Sequence, residues 1–298
     1  MSRSSGRSEN GKKKLKKRKK KDMGSFYFRL TQLSMACILA GACVLFYQTG
    51  YIQTVVSLYR EAEAVMERSS AEDFMEDQSG EVYDADGNLI ALLRNERNLV
   101  YLTCEEIPDA AKDAFVSIED KRFYRHHGFD PFAILRAARS LVTRKSITQG
   151  GSTITQQLAR NIYLTHTVNW ERKVEEIFIA MALEKKYSKD EILEFYINNI
   201  YFSNGYYGIQ AASRGYFGRD VSELTLSETA FLCAIPNGPE LYDPLIHMEH
   251  TLERRDLILE NMYEDERITE TAYKEALAQT ITLHSSLTSF TRTWAHIY

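Results

Sequence analysis

Three polar clusters in this sequence combine residue types that do chemistry in enzymes. Residues 117–128, Ser-Ile-Glu-Asp-Lys-Arg-Phe-Tyr-Arg-His-His-Gly, bring two carboxylates, three cations, two aromatics and two histidines into a dozen positions. A core segment is not so charged, and a solvated helix rarely carries Phe and Tyr beside its charges. Residues 149–161 read Gln-Gly-Gly-Ser-Thr-Ile-Thr-Gln-Gln-Leu-Ala-Arg-Asn. Gly150-Gly151 frees the backbone to turn, Ser152 or Thr153 can cap a following helix, and Thr153 with Gln156 has capping-box spacing. Such a turn aims free N–H groups and the positive end of a helix dipole at an anion. It is not a Walker loop, since no Gly-Lys-Ser/Thr follows. The third cluster is Arg172, Lys173 and Glu176, beside Glu175. It leads into Ile177 to Leu183, apolar on every face, which predicts a helix buried all round. A carboxylate entering a buried helix is paired with a cation or functional. Each cluster alone is better explained as a capped helix or a surface ion pair than as a functional site. Adjacent His126 and His127 point to different sides of a helix or turn and chelate poorly together, so His126 reads as a structural hydrogen-bonding residue and His127 as a surface one.

The elements that position these clusters are mostly helical. The 298 residues, 44% hydrophobic, suffice for one large or two small domains. Charge is uneven within the net −4: residues 1–29 hold 12 Lys/Arg against 2 Asp/Glu, and the remainder 25 against 39. The basic block Lys12 to Lys21 alone would suit a nucleic-acid tail. Its neighbour changes that reading. Leu30 to Tyr47 is 18 residues without a charge, close to the roughly 20 apolar residues that span a bilayer. Lys/Arg on its N-terminal side and Tyr27, Tyr47 and Tyr51 near its ends predict a transmembrane signal anchor with the N-terminus in the cytoplasm. Ala40-Gly-Ala42 has the form of a signal-peptide cleavage site, but the apolar run continues past it. Residues 53–79 read as a charged stalk. Residues 81–93 read as a β-hairpin with Asp86-Gly87 at its turn. From Thr103 onward the pattern is helical, with capping boxes at Thr103/Glu106, Ser188/Glu191 and Thr225/Glu228 and Pro108 in a first turn. The fold class is mainly α, organised as a tail (1–29), an anchor (30–52), a stalk (53–79), a catalytic domain (80–275) and a C-terminal tail (276–298). Of the four cysteines, Cys37 and Cys43 fall in the anchor, and Cys233 lies in an apolar run as core packing. With Cys104 they make no disulfide framework.

Taken in order, the clusters resemble the motifs of the peptidoglycan glycosyltransferase family (glycosyltransferase family 51), found in monofunctional transglycosylases and in the N-terminal domain of class A penicillin-binding proteins. The first, Glu-Asp-x-x-Phe-x-x-His-x-Gly, stands as Glu119, Asp120, Phe123, His126 and Gly128. The second, Gly-Gly-Ser-Thr-Ile-Thr-Gln-Gln, is unbroken from Gly150 to Gln157. The third, Arg-Lys-x-x-Glu, is Arg172, Lys173 and Glu176. Lys189 to Phe202 with Gly205 to Ala212 and Tyr216 to Gly218, then Leu226 to Pro236 with Tyr242 to Pro244, are similar to later family segments. The resemblance covers roughly residues 80–270.

The resemblance implies a lysozyme-like, two-lobed domain with a large head lobe and a small membrane-facing jaw lobe. It implies that the enzyme polymerises lipid II into β-1,4 glycan strands, releases undecaprenyl pyrophosphate and inverts the donor's anomeric centre. A sugar 4-hydroxyl is a poor nucleophile and needs a general base. A pyrophosphate leaving group needs countercharge and hydrogen-bond donors but no proton. By resemblance Glu119 is the base, working best where partial burial raises its pKa. Glu176 positions the donor sugar and pyrophosphate, or a metal bridging to them. Asp120, Arg122, Phe123, Arg136, Gly151, Ser152, Thr155, Gln157, Arg160, Arg172 and Lys173 form the substrate-binding set. By resemblance residues 129–147, with Phe129, Phe132, Ile134, Leu135 and Leu141 among Arg136, Arg139, Arg144 and Lys145, would face the membrane; by composition alone, plain core packing explains the stretch equally well.

Two positions depart from the family pattern. Arg160 stands where Lys is common, which keeps the charge but changes its geometry. Between Asn161 and Arg172, where the family often has another Arg, only His166 could supply positive charge. No cofactor is firmly implied; a divalent cation, Mg2+ or Mn2+, bridging the pyrophosphate is compatible with the reading. The implied partners are lipid II, the growing lipid-linked glycan, the lipid bilayer and cell-wall synthesis or division proteins, with no nucleic acid. The implied location is the bacterial cell membrane, single-pass, with the catalytic domain outside the cytoplasm. No Ser-x-x-Lys occurs, so no transpeptidase is expected in this chain. The alternative is a lysozyme-like lytic enzyme cleaving peptidoglycan, whose glycan substrate would need neither the anion-binding turn nor the surplus cations.

Overall fold

The computed structural model describes residues 27–38, 40–41, 50–75, 80–83, 89–93, 100–142, 151–164 and 169–284. The Lys-rich tail, Tyr47, the Asp86-Gly87 turn, Gly150 and His166 lie outside them, as do the side chains of Arg139, Leu141, Arg144 and Lys145. The chain divides into two units, residues 1–57 and 58–298. In the first, residues 27–38 and 40–41 are helical. Among the described residues no helix is long and apolar enough to cross a membrane, and the expected span 30–52 is described only in part.

The second unit is mainly helical, as expected. Helix α1 (Tyr51–Arg68) is followed by two antiparallel strands, β1 (Gly80–Tyr83) and β2 (Leu89–Leu93), paired Gly80 to Leu93 with a bulge between Val82 and Tyr83. The helices that follow are α2 (Asp109–Glu119), α3 (Pro131–Val142), α4 (Ile154–Tyr163), α5 (Trp170–Lys186) and α6 (Lys189–Asn199). The last four are α7 (Ile209–Phe217), α8 (Leu226–Ala234), α9 (Met248–Glu264) and α10 (Glu270–Ala278). Helices α2, α8 and α9 pack on one another, and α4 packs on α5 and α6.

Local sequence explains where most of these helices start. Thr153, Ser188 and Thr225 each accept from the backbone N–H three residues on, and the Gln156, Glu191 and Glu228 side chains accept in return from the N–H of the cap residue. Asn169 caps α5 by accepting from the Arg172 N–H. Only half of the Thr103/Glu106 box forms: the Thr103 N–H donates to Glu106 Oε2 at 2.8 Å, while the Glu106 N–H donates to the Thr103 carbonyl and closes a turn. Pro108 then takes the N-cap position of α2 rather than its first turn. The Pro108 backbone is extended, with ψ 140°, so the helix starts after it.

Three expectations differ from the packing. The stretch read as a stalk is built into the domain. Leu58, Ala62 and Met66 lie at i, i+4 and i+8 of α1 and are buried, a helical stripe hidden among charges. Beyond them Phe74 is 1% exposed, stacked at 4.1 Å on Phe195 and edge-on to Tyr163 and Tyr187. Helix α5 is not buried all round: Met181 is 39% exposed and Ile177 and Phe178 are half-buried. The fully enclosed helix is α8, whose residues Ser227 to Ala234 are all buried, Cys233 among them. It lies against both α2 and α9, whereas α5 has solvent on one side. The C-terminal stretch expected as a tail is also tied down, since the His284 N–H donates to the Tyr216 carbonyl at 2.8 Å. Replacing Phe74 with alanine removes a fully buried ring and should cost about 3–5 kcal/mol of stability; chemical denaturation of F74A against the unaltered chain measures this.

Candidate active site

Glu119 is the last residue of α2, where the helix ends and the chain is freed to turn. Its carboxylate is 9% exposed and both oxygens are engaged. Oε2 accepts from Gln157 Nε2 at 2.9 Å. Oε1 accepts from Arg254 Nη2 at 3.0 Å and from Asn237 Nδ2 at 3.3 Å. The four side chains arrive from α2, α4, α9 and the turn after α8. Gln157 is itself oriented from behind, its Oε1 accepting from the Tyr196 hydroxyl at 3.2 Å. Tyr196 is fully buried, and that burial pushes its hydroxyl well above the usual tyrosine range, so it stays a donor. Arg254 is 8% exposed and lies 5.1 Å from the centre of the Tyr242 ring. All three donors hold Glu119 as an acceptor, the form a base requires.

Asp120, the next residue, is buried. Its Oδ2 lies 2.8 Å from His126 Nε2 and accepts from the Ile154 N–H at 3.1 Å. This N–H opens α4, so Asp120 joins the first motif to the start of the second. His126 is structural, as expected, and His127 is exposed. Gly128 accepts the Thr153 hydroxyl on its carbonyl at 2.8 Å. Its φ is +83°, and a Cβ there would come within 2.6 Å of the Ala180 carbonyl carbon and oxygen. Only glycine fits a left-handed backbone pressed onto α5.

The third cluster lies on α5. Glu176 is 1% exposed and accepts from Lys173 Nζ, which also donates to Ser152 Oγ at 2.9 Å. One ammonium thus bridges the Gly-rich turn and the buried carboxylate, and 44% of its side chain remains exposed. Gly151, Ser152, Arg160 and Arg172 are half-buried, and Arg172 Nε lacks a hydrogen-bond partner. Arg136 is exposed on α3.

Other members of the expected substrate-binding set are committed to the protein itself. Phe123 is fully buried under Lys189 Nζ, 4.3 Å from its ring centre. Thr155 is fully buried and its hydroxyl donates to Glu184 at 2.6 Å. Arg122 pairs with Asp130 at 3.2 Å and lies 4.5 Å from the Phe132 ring centre. Phe132, Ile134 and Leu135 are exposed on α3, whereas Phe129 is half-buried. Among the described residues no group of three or more His, Cys, Asp or Glu is placed to hold a metal ion. Glu176, the carboxylate expected to bridge one, is taken by Lys173. Among the described residues the side chains therefore form no protein-held metal site.

Arg254 and Asn237, both touching Glu119, went unrecognised in the sequence. Arg254 lies 135 positions away, and the one local signal was the doubled Arg254-Arg255 in a helical stretch.

The family model described as "Transglycosylase" matches residues 86–263, more than half the chain. The chain belongs to the transglycosylase family. It carries a peptidoglycan glycosyltransferase domain of the class A penicillin-binding protein type. Similar relatives include Penicillin-binding protein 4 of Bacillus subtilis, 44% identical over 69% of this chain and 33% of that protein. Penicillin-binding protein 1A of Aquifex aeolicus is 43% identical over 69% and 28%, and Penicillin-binding protein 1A of Escherichia coli 37% over 84% and 28%. The chain thus spans about a third or less of the length of these relatives. The crystal structure of Penicillin-Binding Protein 1A from Haemophilus influenzae matches 70% of this chain and 21% of that one, at 22% identity and a TM-score of 0.39. Within the transglycosylase domain, Gly128→Ala should be among the most damaging single-methyl changes. Strain at a positive φ contributes about 1–3 kcal/mol, and the clash with α5 adds to it; thermal unfolding of G128A measures the sum.

Proposed function

We propose that this transglycosylase polymerises lipid II, with Glu119 as the general base that takes the proton from the acceptor's 4-hydroxyl. The observation that carries the reading is the convergence of Gln157, Arg254 and Asn237 on one largely enclosed carboxylate. A base must be pointed at the proton it takes, and a carboxylate held by three fixed donors is oriented before substrate arrives. The acceptor oxygen then attacks the anomeric carbon of the donor as the bond to pyrophosphate breaks. Direct displacement from one face inverts an α-linked donor into a β-linked product.

The leaving pyrophosphate belongs on the side of Lys173, Arg172 and the N-terminus of α4. Lys173 is free to exchange its Ser152 contact for a phosphate oxygen while Glu176 keeps it in place. The half-buried Arg160 and Arg172 add countercharge, as the departing pyrophosphate requires. The same cations argue against the lytic alternative, in which an uncharged glycan would meet a surplus of positive charge. We further read residues 30–52 as the membrane anchor and the exposed Phe132, Ile134 and Leu135 with Arg136 as a face toward the headgroups, which would keep the domain beside a lipid-linked substrate.

The test is incubation of the purified chain with lipid II. Long glycan with stoichiometric undecaprenyl pyrophosphate supports polymerisation; shortened sacculi without pyrophosphate release would support the lytic reading instead. Glu119→Gln should lower the rate by roughly 100-fold or more, within the range attributed to a general base. An E119Q chain polymerising at the unaltered rate would remove Glu119 from the mechanism. Lys173→Met should act mainly through donor affinity, and the dependence of its rate on lipid II concentration reports that. Repeating the assay with a chelator decides whether a divalent cation enters with the pyrophosphate.

A further inference from the structure

Adjacent to the proposed base lies an enclosed group of charges that the reaction itself does not use. Its centre is Glu184 on α5, whose side chain is 3% exposed. Its Oε1 accepts from the Thr155 hydroxyl at 2.6 Å and from Lys189 Nζ at 2.6 Å. The same oxygen lies 3.7 Å from His126 Nδ1, an atom with no other hydrogen-bond partner. The other ring nitrogen, Nε2, is 2.8 Å from Asp120. One imidazole is therefore flanked by two buried carboxylates, with one ammonium bonded to the same Glu184 oxygen. No motif assigns this glutamate a role.

The cluster costs free energy to bury. Each charge loses its hydration, and a buried pair can often be replaced by apolar residues without loss of stability. A domain that needed only a packed core had a simpler solution here. Burial also pulls the Lys189 ammonium below the usual lysine range, a pull that the Glu184 hydrogen bond opposes. What the arrangement supplies is registration. Thr155 sits two residues before Gln157 on α4. His126 leads through Asp120 to Glu119. Lys189 is the first residue of α6, the helix that carries Tyr196. Glu184 is thus one atom-to-atom step from three elements whose side chains meet around the base.

We propose that Glu184 is a positioning residue, holding Thr155, His126 and Lys189 so that Gln157 and Glu119 stand at hydrogen-bonding distance before substrate binds. This rests on the reading of Glu119 as the base. Small displacements at a reacting centre cost rate rather than ground-state affinity, so the two parameters should separate.

The experiment uses the full chain, lipid II as substrate, and two variants. Glu184→Gln combined with Lys189→Met removes both charges and leaves no buried ion unpaired. Thr155→Val cuts only the link to α4 and keeps the side-chain shape. The expected result is a folded double variant whose kcat falls about 10- to 100-fold, with KM for lipid II nearly unchanged. Thr155→Val should show the same split to a smaller degree. A folded double variant with unaltered kcat overturns the proposal. So does a loss of activity that follows the folded fraction in both variants. If the double variant does not fold, the kcat-against-KM split of Thr155→Val decides alone. Glu119→Gln is run alongside: if it stays active, the base reading has failed. If it is inactive while the double variant turns over normally, only the role of Glu184 has failed.

Discussion

The site depends on one hydrogen bond, from the Ile154 N–H to Asp120 Oδ2. It joins the C-terminal end of α2, where Glu119 sits, to the N-terminal end of α4, where Gln157 begins its reach. A free N–H at a helix start needs an acceptor, and a buried aspartate needs donors. Each group satisfies the other, and the two motifs are brought together as a result. His126 completes the coordination of the same carboxylate oxygen. Without this junction Glu119 would end a helix facing whatever side chains chance supplied.

Around that junction, charge is matched residue by residue. Glu119 meets Arg254 on α9, Glu176 meets Lys173 within its own helix, and Asp120 and Glu184 share His126 and Lys189. The Glu119–Arg254 and Glu176–Lys173 pairs differ in exposure. Arg254 is as enclosed as its partner, so it is fixed in place. Lys173 is half out in solvent beside a fully buried partner, so it is tethered at one end and available at the other. A fixed guanidinium suits orientation of a base, and a tethered ammonium suits capture of an incoming phosphate.

What could be read from the sequence was local. The capping boxes at Thr153, Ser188 and Thr225 are contained in four residues each, and each opens the helix it predicts. The hairpin came from alternation flanking Asp-Gly. The family motifs located Glu119, Glu176 and the Gly-rich turn because their spacing is itself the signal. What stayed illegible was long-range. Nothing near Arg254 or Asn237 says that either touches a carboxylate more than a hundred residues earlier. The Leu58, Ala62, Met66 stripe was masked by the charges between its members, and composition read it as a stalk. Burial of α8 instead of α5 was decided by which helix has neighbours on all sides, a property no single segment carries. The Thr103/Glu106 pair formed only half of its box and opened no helix, because Pro108 set the start.

Gly128 has a further consequence. Its backbone lies directly on the Ala180 peptide, about one turn along α5 from Glu176. The loop after Glu119 and the helix bearing Glu176 therefore touch main chain to main chain, with no side chain between to flex. A change at this one position therefore disturbs both carboxylate-bearing segments at once.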